Sequence, residues 1–68
     1  MKDYQKRVVA EKKELDKKLK KLGDFIGNWD IFRHLHLDEQ KRLRKQEIFM
    51  EAYSEVLADR IAAFKETK

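Results

Sequence analysis

The groups of this sequence best able to do chemistry on a partner are cationic. The stretch KKELDKKLKK, residues 12–21, concentrates Lys12, Lys13, Lys17, Lys18, Lys20 and Lys21, and Tyr4 stands a little before it. Such a stretch has three readings: a solvated helix face, half of a coiled coil, or a cationic surface that holds something anionic. Arg60 raises the same question near the other end of the chain. A guanidinium beside an apolar stripe wants an acid, an anion or the surface. Covalent chemistry has far less support. The one serine, Ser54, has only Glu51 and Glu55 as neighbours, His34 and His36 stand two apart without a ligand set, and cysteine is absent. Nothing resembles a nucleophile elbow or a glycine-rich phosphate loop. The chain therefore reads as a binder and not an enzyme, with no metal and no cofactor expected.

The elements that must position these residues follow from the apolar spacing. Val8, Lys12, Leu15, Leu19, Leu22 and Ile26 recur at intervals of 4-3-4-3-4, with Lys12 the one polar member. That is the stripe of an amphipathic helix packing on another helix, over residues 2–26 and about 37 Å long. Glu14 stands four residues before Lys18, a spacing that allows an ion pair on its surface. Asn28 suits the N-cap of a short helix over 29–35, whose Trp29, Ile31, Phe32 and Leu35 would plug one end of a hairpin. A last helix over 38–65 begins at His36 or Asp38, with the early acids Asp38 and Glu39 suiting its N-terminal dipole. Leu43, Met50, Leu57 and Phe64 repeat every seven residues along it, and Gln46, Tyr53 and Arg60 form a parallel series. Tyr53 reads as a core residue with a bonded hydroxyl. Tyr4 has a packing reading as well, against the far end of the last helix near Phe64.

Ile48, Phe49, Ala52, Val56 and Ala63 widen the apolar surface of the last helix beyond what one partner helix covers, which predicts an interface between copies. The expected fold is all-α: one domain over residues 1–68, a long helical hairpin with a short helix at the bend, assembled as a homo-oligomer. Size points the same way. A chain of 68 residues without cysteine buries only about 60% of its unfolded surface and has self-association as its remaining staple. No apolar run approaches the roughly 18 residues that a membrane span needs, so no membrane partner is expected and a soluble intracellular protein is the default. The formal charge of +4, from 17 basic and 13 acidic residues, favours anionic partners weakly. A basic helical protein that binds DNA or RNA is the alternative, and a structural oligomeric adaptor is a third reading.

An ordered set of positions spans nearly the whole chain: YQKRVVAEKKELDKKLKKLGDFI from Tyr4, then Phe32, EQKRLRKQ at 39–46, Met50, Tyr53 and LADRIAAF at 57–64. This set resembles the short helical-hairpin proteins of bacteriophages that act as anti-CBASS sponges. The resemblance implies a compact homohexamer that binds cyclic dinucleotides such as cGAMP, and in some members cyclic trinucleotides at a separate site, without degrading them. It implies a phage-encoded protein working in the host cytoplasm, where it removes the messenger that activates an antiviral effector. In that family a tyrosine near the start of the first helix stacks on a nucleobase, and Tyr4 matches it. A lysine further along that helix contacts phosphate, and Lys18, Lys20 and Lys21 all lie near the matching place. An arginine late in the last helix helps hold the trinucleotide, and Arg60 matches it.

Helix geometry constrains this proposal. Tyr4 and Lys18 are fourteen residues apart, which on a helix places them within ~40° of one face but ~21 Å apart along the axis. A small ligand that touches both must take them from different chains. A cyclic dinucleotide has an approximate two-fold, which an isologous dimer interface can match, and a cyclic trinucleotide has a three-fold. A hexamer with both kinds of axis offers both kinds of site.

Overall fold

The computed structural model describes residues 1–65. They form α1 (Asp3–Gly27), α2 (Trp29–Phe32) and α3 (Leu37–Ala63), and the described residues contain no strand. Proline is absent, so neither long helix meets a breaker. At the start of α1 the Lys2 backbone N–H donates to Gln5 Oε1 at 3.0 Å, which also explains why a glutamine is buried there. The helix stops at Gly27, and the Asn28 N–H donates back to the Phe25 carbonyl. His36 caps α3: its Nδ1 accepts from the Asp38 N–H at 3.1 Å. Asp38 and Glu39 in the first turn and Arg60 in the last complement the helix dipole.

The long helices run antiparallel. Tyr4 meets Phe64, Lys12 and Asp16 reach Ser54, and Gly23 faces Glu47. Val8, Leu15 and Leu57 form the buried seam, with Met50, Ile61 and Phe64 packed against it. At the bend Phe32 is fully buried. Phe25 meets it edge-on at 6.4 Å, and the Arg44 guanidinium covers its face at 5.0 Å.

Two expectations for these elements are corrected. The short helix has four residues and ends at Phe32 instead of reaching 35, because the chain turns at 33–35 to enter α3. Its plug is made by Phe32 with half-buried Leu35, while Trp29 and Ile31 are exposed. One turn of helix presents a single side to the hairpin end, so only part of its apolar set can be covered. Tyr53 is the second correction. It is 44% exposed, and no hydrogen bond holds its hydroxyl among the described residues.

The hairpin is a rod of 52 × 15 × 14 Å with a radius of gyration of 15.5 Å. A compact chain of this length has about 11 Å. Its surface of 5634 Å² exceeds the about 4,600 Å² of a compact monomer of this mass. Much of that surplus is apolar, since Ile48, Phe49, Val56, Trp29 and Leu37 are all at least half exposed.

Candidate functional site

The two flanks of the hairpin differ in chemistry. One flank carries a closed polar cluster. The Ser54 hydroxyl donates to Asp16 Oδ1 at 2.6 Å, and Lys12 Nζ donates to Asp16 Oδ2 at 2.6 Å and to Ser54 Oγ at 3.1 Å. Lys12 is the polar member of the α1 seam, and its ammonium reaches the edge of the helix interface instead of the core. The bond from Lys12, then that from Ser54, hold the Asp16 carboxyl below the usual aspartate range, against a smaller opposing effect of burial. Sequence reading presents Ser54 only as a failed nucleophile and misses this cluster. A signal for it exists: a lysine inside an apolar stripe with an acid four residues on.

The opposite flank follows from helix periodicity at ~100° per residue. Measured from Val8 in the core, Lys12 and Asp16 lie at about +40° and +80°, whereas Tyr4, Glu11 and Lys18 lie at about −40°, −60° and −80°. Measured from Leu57, Ser54 lies at about +60°, whereas Tyr53, Arg60, Phe49 and Val56 lie at about −40°, −60°, −80° and −100°. In an antiparallel pair the negative sides of both helices fall on one flank, as the joining of Lys12, Asp16 and Ser54 on the positive side confirms. Tyr4, Lys18, Tyr53 and Arg60 therefore share a flank.

The three lysines matched on sequence do not share one position. Lys20 lies at about +120°, on the flank of the polar cluster, and Lys21 at about −140°, toward the back of α1. Lys18 alone is close in angle to Tyr4. Glu14, the acid that could have occupied it, pairs instead with Lys17 at 3.6 Å. Lys18, Lys20, Lys21 and Arg60 are all exposed or half-exposed, and none makes an ion pair or hydrogen bond among the described residues.

Tyr4 is half-exposed and meets Phe64 edge-on, with ring centroids 5.9 Å apart and planes at 87°. One turn separates Arg60 from Phe64, so Arg60 stands ~6 Å along the axis from Tyr4, while Lys18 stands ~21 Å away. The packing reading of Tyr4 and a ligand role are thus compatible: Phe64 makes one contact with the ring, and Tyr4 stays 45% exposed. The flank can stack a planar ring and meet anionic groups. It is an open surface, with no cavity enclosed by one chain among the described residues. No group of side chains able to hold a metal ion occurs among the described residues, and no helix there is long and apolar enough to cross a membrane.

No curated protein and no solved structure matches this chain. The model of the Sequestin family matches residues 2–63. The chain belongs to the Sequestin family, whose name denotes sequestration, in keeping with a binding role and with the sponge-like proteins that the sequence resembles.

Proposed function

We propose that this Sequestin-family chain is a phage-encoded anti-CBASS sponge. It binds cyclic dinucleotides such as cGAMP, and cyclic trinucleotides at a second site, and releases them unchanged. Sequestration in the host cytoplasm keeps the messenger from its antiviral effector. The observation that carries this reading is the flank on which exposed Tyr4 shares a face with Lys18 and Arg60, cations that make no ion pair among the described residues. With ~21 Å between Tyr4 and Lys18, this reading takes the dinucleotide pocket to be shared between chains of a homo-oligomer, a hexamer.

Stacking of a base on a tyrosine is worth about 1–3 kcal/mol. Each charge-assisted bond to phosphate adds about 1.5–3 kcal/mol before desolvation. Two of each, related by a two-fold and held in a pre-formed pocket, offset much of the about 4–15 kcal/mol that association costs. Nothing in this scheme breaks a bond, so the ligand leaves as it entered.

Calorimetric titration with a panel of cyclic dinucleotides, a cyclic trinucleotide, their linear forms and duplex DNA tests the reading. Saturable binding of the cyclic ligands, with intact ligand recovered after heat release, is expected. Binding of duplex DNA alone, falling steeply with salt, would replace the sponge by a nucleic-acid binder. Linear product in the heat-released fraction would replace it by an enzyme.

A further inference from the structure

Tyr53 is 44% exposed at the rim of the hairpin, and it makes no hydrogen bond or ring contact among the described residues. The register of the helices fixes what stands across from it. Tyr4 meets Phe64, Asp16 meets Ser54 and Gly23 faces Glu47. On that register Tyr53 stands opposite residues 15–17 of α1, and Lys18 lies within ~5 Å of its level along the axis. Both are on one flank, Tyr53 at about −40° from Leu57 and Lys18 at about −80° from Val8. Lys18 is exposed and makes no ion pair among the described residues. The seam beneath them is apolar, with buried Leu15 one turn from Lys18 and buried Leu57 one turn from Tyr53. A second ring, Phe49, stands one turn before Tyr53, but the Lys45 ammonium already lies over it at 5.9 Å. Tyr53 is the ring without such a partner.

We infer that Tyr53 and Lys18 form a nucleotide subsite within a single chain, in which the tyrosine ring stacks a base and the ammonium meets the phosphate attached to that base. The subsite rests on the cyclic-nucleotide reading and gives Lys18 a ring partner from its own chain. Tyr4, ~21 Å from Lys18, shares no nucleotide with it inside one chain, whereas Tyr53 stands at its level. Helix axes about 8–10 Å apart, together with the flexible four-carbon stem of lysine, let the ammonium reach a phosphate whose base lies on the ring. The charge pattern of α3 agrees. Glu47, Glu51 and Glu55 lie at about +80°, +120° and +160° from Leu57, turned away from this flank, so a phosphate beside Tyr53 meets little repulsion from them. The Tyr53 hydroxyl, unbonded among the described residues, stands at the ring edge, where it donates to or accepts from the polar edge of a stacked base. Tyr4 with Arg60 makes a second pair of ring and cation ~16 Å along the same flank. One chain thus offers two such places, and Tyr53 is the stacking residue of the second.

A double-mutant cycle tests the pairing, read by calorimetric titration of the full chain with cGAMP, with helicity and assembly checked by circular dichroism and sedimentation. Tyr53→Leu keeps an apolar helix former at the rim and removes the ring. It is expected to weaken binding about tenfold, as is Lys18→Ala. The double variant is expected to lose about thirtyfold or less instead of the hundredfold product, because a base without its ring no longer holds its phosphate at the ammonium. Tyr53→Phe keeps the stack and stays within about threefold of wild type. Should Tyr53→Leu fail to fold or assemble, Tyr53→Gln takes its place in the cycle. A folded ring-less variant with wild-type affinity, or two losses that multiply, would overturn the subsite and leave the sponge reading standing. A wild type that binds neither cGAMP nor any other cyclic dinucleotide would overturn the sponge reading itself, and the subsite with it.

Discussion

Tyr4 stands in two relations, to Phe64 and to a proposed ligand, and substitution can separate them. Its edge-on contact with Phe64 at 5.9 Å is worth about 0.5–1.5 kcal/mol beyond area burial. Tyr4→Ala therefore lowers stability by about 1 kcal/mol or more. Phe64→Leu removes the same ring pair and leaves the Tyr4 ring in place. It should cost similar stability, about 1 kcal/mol. The two variants part on affinity. Tyr4→Ala loses a stacked base at each of two symmetry-related positions, at about 1–3 kcal/mol each. A loss of about 2 kcal/mol or more, roughly thirtyfold in dissociation constant, is expected. Phe64→Leu should stay within about threefold of wild type, which is under about 0.7 kcal/mol. Tyr4→Phe keeps the ring and should bind nearly as well as wild type. Calorimetry gives affinity, and urea unfolding at one fixed protomer concentration gives stability, since assembly couples the two. Phe64→Leu that weakens binding as much as Tyr4→Ala would show that the ring pair, and not the open face of Tyr4, matters. A folded Tyr4→Ala with full affinity would remove Tyr4 from the site.

The lysines separate by angle: Lys18→Ala should weaken cyclic-dinucleotide binding about tenfold or more and flatten its salt dependence, while Lys20→Ala should leave both unchanged in the same titrations. The Asp16 carboxyl, held below its ordinary range by Lys12 and Ser54, contributes stability that is present above the unfolded-state value and lost as pH falls through the folded one. The stability difference between wild type and Asp16→Asn should thus be constant from neutral pH to about pH 5 and close below about pH 4, as read by urea unfolding across pH. Leu57→Ala opens the fully buried centre of the seam and should cost about 2–5 kcal/mol, enough that the variant's circular dichroism shows a partly unfolded chain at room temperature.

The fold is legible in the sequence because its signals are periodic. Seven-residue spacing alone places Val8, Leu15 and Leu57 on seams, and all three are buried. Periodicity gives angle but not depth, which is why Tyr53 reads as core and is not. It lies only about 40° from Leu57, close enough to look internal, yet at the rim of a two-helix interface that angle is half exposed. A two-helix rod has no third layer to cover its rims, and a residue at that angle is buried only in a larger bundle. Asn28 stands at the N-cap of α2 as its residue type suggests, but its side chain makes no capping bond, and four residues of helix leave Trp29 and Ile31 uncovered. The lysines show the same limit from the other side. Position in sequence cannot separate Lys18 from Lys20, because two residues along a chain are close while two along a helix lie ~160° apart on opposite sides of Tyr4's face. Only the direction of the hairpin, fixed by Ser54 meeting Lys12 and Asp16, decides which side that face is.

That polar cluster also explains how so small a core can hold one arrangement. A seam of Val8, Leu15 and Leu57 is apolar and smooth enough that α3 could rotate or slide against α1 at little cost in burial. Lys12, Asp16 and Ser54 satisfy one another across the interface at 2.6 to 3.1 Å. A slip of one turn, ~5.4 Å, breaks all of the contacts to Ser54 at once. The cluster is half-exposed, so it adds little to total stability, yet it discriminates between registers that burial alone leaves nearly degenerate. Its position on one flank has a second effect. Lys12 and Asp16 neutralise each other there, while Lys18, Lys20, Arg60 and Asp59 have no ion pair among the described residues. A hairpin that used every charge on itself would be a better monomer. This one fixes its own register with three residues and leaves Lys18, Arg60 and Asp59 without an ion pair among the described residues, and about 1,000 Å² of surface beyond a compact monomer's, available to other molecules.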